Sequence, residues 1–436
     1  MPEIKPFAGI RYNPEVVKDL SLVVAPPYDV IDKNQHAELL ARDPLNVVRL
    51  ILGSDPSGPG NYIEEAGTMR RWIRDGVLIR DPGPRYYLIE DSFHLPGEDT
   101  AYRRWGIICR VRLEPFESGR IFPHERTHQG PKEDRLRLMK AFGGNLSQVF
   151  TLFDGDASVV RSALDAVFNS TPVMDITDWD GIGRRLWIIQ DPAVIKTISG
   201  LLADRNLYIA DGHHRYETAL TYAKEMAAAD PDPDPEKGYN YIMMALVGMK
   251  DPGLAILPTH RHLHSFEDFD FNKVLDCLSS SFTADGLAED DERRIRSGTA
   301  PSDLGGRGFI LYDPASDRFV RLLLRDDVDL EAHMPEMSPP VRRLEVTLAE
   351  QFLMKGCLNM TSEQISHQEH LEYFKDLGQA MERARKGGQI LAVMPPTGMD
   401  DLVAVTSEKE RMPQKSTFFY PKLLSGLVFY DHGTVR

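Results

Sequence analysis

The chain has 436 residues, 42% hydrophobic and 27% charged, which is ordinary globular composition with ample material for a large core. Its formal net charge of -15 repels phosphate backbones, so bulk electrostatics argue against nucleic-acid binding while leaving room for a local basic pocket. No run approaches the ~20 apolar residues that span a bilayer, and the opening MPEIKPFAGIRYNPE puts Pro and charges where a secretory core needs apolar residues.

Three widely spaced cysteines, Cys109, Cys277 and Cys357, suggest neither a disulfide framework nor a cysteine zinc site. Reduced thiols and the lack of an apolar span lead us to expect a cytoplasmic protein, with a homo-oligomer compatible with the sequence. Breaker-rich stretches at 53–61 (GSDPSGPGN), 227–238 (AAADPDPDPEKG) and 297–308 (SGTAPSDLGGRG) punctuate the chain.

In chain order, SLVVAPPYDVI (21–31) reads as a short strand running into a Pro-Pro turn. Residues 62–75 carry Ile63, Ala66, Met69, Trp72 and Ile73 at helical spacing. RYYLIEDSFHL and RRWGIICRVRL read as strands paired across the intervening turn. RLRLMKAFGG (135–144) and SVVRSALDAVFNS (158–170) read as helices. RLWIIQD is a strand before the helix PAVIKTISGLLADR, and NLYIAD a strand before HHRYETALTYAKEMAAA. NYIMMALVGM and LAILPTHRHLHSF supply further strands, and a second strand-helix region starts at Asp268. This alternation predicts a mixed α/β fold. We expect an N-terminal α/β region over 1–115, a core over 116–265 and a C-terminal α/β region over 266–436.

The densest chemistry lies in LYIADGHHRYETAL (207–220). Asp211-Gly212 is a turn pair, and glycine allows positive φ or close approach to the backbone. The helix after it offers free N–H groups and the positive end of its dipole to an anion. Arg215 adds a fork of donors, while His213 and His214 are donors or acid-base groups. Asp211 can bind a metal, orient a histidine or take a proton. Against this, an Asp before a helix is often only a cap.

IFPHERTHQGPKEDRLRLMKAFGGN (121–145) is the second cluster. Phosphoryl transfer needs a carboxylate for the acceptor hydroxyl and cations for the migrating group. Glu125 is the candidate base, with Lys132 and Arg135 as candidate phosphate ligands. HERTH satisfies H-E-x-x-H through His124 and His128, but Pro123 and Gly130-Pro131 leave little room for the helix that motif requires. His260, His262 and His264 in PTHRHLH share one face of a strand, a spacing from which a metal cluster is possible but still short of a third ligand. MPQKSTFFYPK (412–422) offers Lys415 as an anion contact, without the glycines of a P-loop.

The ADGHHRY segment resembles a sequence box of the ParB/sulfiredoxin-like superfamily, which includes free-serine kinases. That resemblance implies a nucleotide-binding core in which this turn and helix start meet phosphates. Across nearly the full length the chain resembles the bacterial and archaeal family of domain of unknown function one-thousand-and-fifteen. The matching stretches are APPYDVI (25–31), PHERT (123–127), PKEDRL (131–136), ADGHHRYETAL (210–220), LPTHR (257–261) and MPQKSTFFYPKLLSGLV (412–428). The resemblance adds Tyr28, Asp29, His260 and Arg261 as substrate-site candidates, with Asn46 and Arg49 of the same standing.

The expectation is therefore an enzyme transferring phosphate from ATP or ADP, with Mg²⁺ on Asp211, to a small hydroxylated metabolite, L-serine first. Gly212, His213, His214 and Arg215 would hold the donor, and Glu125 would activate the acceptor. A nucleotide-binding switch without turnover and a metal-dependent hydrolase are the rival readings.

Overall fold

The computed structural model describes residues 2–55, 60–96, 98–125, 127 and 129–433. Among the described residues, the two main sheets have nine and six strands. The first runs in the order Ile121–Pro123, Leu207–Asp211, Val149–Phe153, Tyr241–Gly248, Ala101–Arg112, Tyr86–His94, Gly183–Ile189, Met174–Thr177, with Ile4–Lys5 also on Ala101–Arg112. Most pairs are antiparallel; Leu207–Asp211 with Ile121–Pro123 and Tyr241–Gly248 with Val149–Phe153 are parallel. Tyr241–Gly248 is buried at every residue, which explains its unbroken apolar reading. The helices Gln129–Phe142 and His213–Ala229 pack together beside this sheet.

The second sheet is antiparallel throughout, in the order Phe282–Asp285, Arg318–Leu324, Gly308–Asp313, Ile390–Val393, His260–Leu263, Leu371–Phe374. Ala255–Leu257 pairs with Phe418–Tyr420 between the two. The chain then returns to the first sheet's side: Ser425 bridges Ala25, Phe429 bridges Ile10, and Tyr430 pairs with Asn145. Phe419 is fully buried there against Phe150 and His124.

The mixed α/β class is as the sequence led us to expect. The hairpin forms as Tyr86–His94 and Ala101–Arg112. The first sheet takes strands from both sides of the 115/116 boundary, and His260–Leu263 already belongs to the second sheet. The strand read at 21–31 does not form. Leu20–Leu22 and Tyr28–Val30 are short 3-10 turns, and Val23, Val24 and Ala25 are buried by packing rather than by a ladder. The helix read over 158–170 is two pieces, Ala157–Ser162 and Asp165–Phe168.

The expectation of three reduced thiols is overturned. Cys277 and Cys357 form a disulfide across 80 residues, because the Phe271–Leu278 helix packs on the Ala349–Cys357 π-helix. Sequence spacing says nothing about that juxtaposition. Cys109 stays a buried thiol in the first sheet. Among the described residues, no helix is long and apolar enough to cross a membrane.

Candidate functional site

The strand-turn-helix expected at 207–229 is present as Leu207–Asp211 followed by His213–Ala229. Pairing with Val149–Phe153 slips register between Ile209 and Asp211, an irregularity of the kind that re-aims a side chain. Gly212 caps the helix at φ 92°. A Cβ there would fall 2.8 Å from Nε of Arg215, so both the backbone and the packing call for glycine. Arg215, four residues along the helix from Asp211, places Nη2 2.6 Å from its Oδ2. Lys422, from the returning C-terminal segment, places Nζ 2.5 Å from Oδ1. Desolvation alone would raise the Asp211 carboxyl, but Lys422 and Arg215 hold it below its ordinary value.

Glu125 stands at the end of the Ile121–Pro123 strand, bridged to Met412. Arg411 Nη1 donates to its carbonyl oxygen at 2.6 Å. Two buried imidazoles sit behind it. His124 donates through Nδ1 to the Ile209 carbonyl (2.7 Å), which leaves Nε2 to accept from the Thr417 hydroxyl (2.8 Å). The backbone N–H of His124 donates to Nε2 of His213 at 3.2 Å. The proton of neutral His213 therefore sits on Nδ1, which faces Oε2 of Glu125 at 3.9 Å. Burial, then His124 and Arg411, keep His213 far below its ordinary value, so it stays neutral. Desolvation pushes the Glu125 carboxyl up to about 7; Lys415 and Lys422 pull against this, and Asp211 and Asp29 push with it.

Lys415 is exposed and has φ 55°, a left-handed conformation uncommon for a side-chain-bearing residue. Its carbonyl accepts from Arg261 Nη2 at 3.3 Å, and Thr397 donates to the next carbonyl, that of Ser416, at 2.7 Å. Tyr28 lies under the Arg135 guanidinium at 4.0 Å and borders a pocket with Arg135, Arg215, Asn145 and Ser147. Burial, with Asp29 beside it, pushes the Tyr28 hydroxyl up to about 12.

The fold thus gathers Glu125, Asp211, Gly212, His213, Arg215, Lys415, Tyr28 and Asp29 from four distant stretches. His214 is half-buried next to His213 on the helix. Other candidates carry protein partners of their own. Lys132 pairs with Glu217 at 3.2 Å, and Thr127 bonds the same carboxylate. Arg135 spends its guanidinium on the Ile51 carbonyl, Tyr62 and Asp134. Arg261 is buried and donates to the Lys415 carbonyl oxygen. His260 is buried, its Nδ1 accepts from the Met394 N–H, and burial drives it down to about 3. Asn46 and Arg49 bond the Leu22, Val24 and Leu40 carbonyls and hold loops.

Asp211, the expected metal ligand, pairs through Oδ2 with Arg215 and through Oδ1 with Lys422. The HERTH zinc motif fails at His124, whose two ring nitrogens are both engaged; His128 lies outside the described residues. Sequence reasoning missed Lys422 and Arg411. A signal for Lys422 existed, because it is the lone charge between Ser416 and Tyr430, and a charge in so apolar a run needs a partner.

Residues 4–347 match the family described as Protein of unknown function (DUF1015). The chain belongs to that family. No curated protein matches this DUF1015 chain. Among solved structures, it is similar to a conserved hypothetical protein from Pyrococcus furiosus at 14% identity and TM-score 0.33, covering 72% of this chain and 92% of that one. A mutant free serine kinase in complex with ADP shows 11% identity and TM-score 0.35, over 75% and 90% of the two chains. C-terminally truncated SbnI from Staphylococcus aureus shows 11% and 0.34, over 72% and 85%. These are likenesses of the chain; the reading of the site rests on its own geometry.

Proposed function

We propose that this DUF1015 protein binds a nucleotide, ATP or ADP, on a ParB/sulfiredoxin-like core and transfers its terminal phosphoryl group to a hydroxyl of a small metabolite, L-serine being the first to try. The observation that carries the reading is Glu125. Its carboxyl is poised near neutrality, backed by the neutral His213 N–H, and stands among Lys415, Lys422 and the Asp211–Arg215 pair. A base needs a value near the working pH, and a migrating phosphoryl group needs nearby positive charge.

In this reading the phosphates lie over the start of the His213–Ala229 helix, where N–H groups and the dipole favour an anion. Lys415 and Lys422 neutralise the phosphoryl oxygens. Asp211 keeps Lys422 and Arg215 extended in place. The acceptor oxygen bonds to phosphorus as the bond to the bridging oxygen breaks, and the acceptor proton passes to Glu125. The engagement of Asp211 by two cations also suits a nucleotide-binding switch that does not turn over.

One experiment separates the two. Purified protein is incubated with ATP or ADP, magnesium and a panel of hydroxylated metabolites, and products are read by mass spectrometry. Acceptor-dependent ADP or AMP with a phosphorylated product, lost in Glu125→Gln, supports transfer. Saturable nucleotide binding with no product in any mixture points to the switch and removes the kinase reading.

A further inference from the structure

The second sheet holds a histidine-rich cluster that the proposed reaction does not use. His262 and His264 lie on one face of the His260–Leu263 strand and its continuation, opposite to the face of Arg261. His262 is directly across from Glu372 in the antiparallel ladder. The next step brings His264 against His370, whose carbonyl accepts the His264 N–H at 3.1 Å. Cross-strand partners share a face, so three imidazoles and a carboxylate stand together. His262 Nδ1 is 2.9 Å from Glu372 Oε2, and the His262 and His264 rings stack at 5.2 Å. Ligand atoms of His262, His264 and Glu372 all lie within 4.8 Å of one another. The His370 ring is 6.5 Å from that of His264.

We propose that His262, His264 and Glu372 form a site for a divalent first-row transition ion of the zinc class, with His370 within reach as a fourth ligand. Two imidazoles and a carboxylate thus meet at one place, where a shared cation would engage a lone pair from each. Zinc holds nitrogen and oxygen ligands at ~2.0–2.2 Å in a tetrahedron, so neighbouring ligand atoms sit ~3.3 Å apart. The His262–Glu372 separation is close to this, and half-buried His264 needs only a side-chain rotation. The nitrogen-rich set disfavours Mg²⁺ and Ca²⁺.

The surroundings supply outer support. Arg383 holds Glu372 through Nη2 to Oε1 at 3.0 Å and Nε to Oε2 at 2.9 Å. Among the described residues, Nε2 of His262 is buried without a hydrogen-bond partner. When Nδ1 takes the metal, the ring proton moves to Nε2. That atom borders the space beside Gly388, where a Cβ would lie 2.4 Å from Nε2 and 2.9 Å from the Ala384 carbonyl oxygen. Ligating histidines commonly donate their second N–H to such an acceptor. A metal here pins Leu371–Phe374 to the strand whose other face presents Arg261 to Lys415.

The test uses the untagged full chain, stripped with chelator and titrated with Zn²⁺ by calorimetry at pH 7.5, beside Mg²⁺ as control. One equivalent of zinc binds and magnesium does not. His264→Ala and Glu372→Gln each weaken zinc binding by about tenfold or more, with unchanged circular dichroism. Substoichiometric zinc on the wild-type chain, or wild-type affinity in either folded variant, overturns the assignment.

Discussion

Nζ of Lys422 lies 2.5 Å from Oδ1 of Asp211, joining positions 211 residues apart in the chain. Both side chains are nearly buried, at 15% and 12% exposure. Removing Lys422 leaves the Asp211 carboxylate with Arg215 alone, a buried charge less well compensated. Lys422→Met should therefore cost about 3 kcal/mol in chemical denaturation. Nucleotide-dependent turnover should fall about a hundredfold, the loss typical of one electrostatic contact to a transition state. A variant that stays fully active removes Lys422 from the site.

Glu125 gives a pH prediction. A base with its carboxyl pushed up to about 7 is mostly protonated below that value. Turnover should rise with pH and level off above about 7, where the carboxylate dominates. The linked stability has the opposite sign. A carboxyl raised above its unfolded value contributes stability that is complete below about 4.3 and is lost as pH rises through the folded value. Glu125→Gln should be inactive, yet more stable than wild type at pH 8 by on the order of 1–3 kcal/mol. Urea titrations at pH 5 and pH 8 read this directly; equal gaps at both pH values contradict it.

Gly212 permits a single-methyl test. At φ 92°, alanine is strained, and its Cβ would meet the Arg215 guanidinium. Gly212→Ala should lose about 2 kcal/mol and break the Arg215–Asp211 pairing, so nucleotide affinity falls more than the stability change explains. Unchanged affinity means the turn serves only the fold.

How much of this was legible in the sequence depends on how local the cause was. The 86–112 hairpin and the 207–229 strand-turn-helix rest on alternation, a glycine and helical spacing within one window, and both were readable. The placement of Asp211, Gly212, His213 and Arg215 at that strand end and helix start was readable for the same reason. Residues 21–31 misled because buried Val23, Val24 and Ala25 look like a strand whether packing or pairing buries them. A strand histidine such as His260 carries no mark of the backbone N–H it will meet, here that of Met394. Lys422, which joins Asp211, and Cys357, which joins Cys277, lie 211 and 80 residues away, and no local pattern pairs them.

The disulfide makes the second sheet's stability sensitive to reductant. A crosslink spanning 80 residues removes loop entropy from the unfolded chain, about 4 kcal/mol at most. Cys277→Ser should lower the unfolding temperature, and reductant should lower it in wild type but not in the variant. Insensitivity of both to reductant would mean the bridge contributes nothing.

The return of residues 422–430 to Asp211, Asn145, Ala25 and Ile10 has a consequence for biosynthesis. As the ribosome extends the polypeptide, Asp211 and Arg215 emerge long before Lys422 exists, and Ile10 and Ala25 wait longer still for Phe429 and Ser425. A nascent chain can build most of its sheet yet lack its closing cation, so the Asp211 pairing is completed only once Lys422 has emerged.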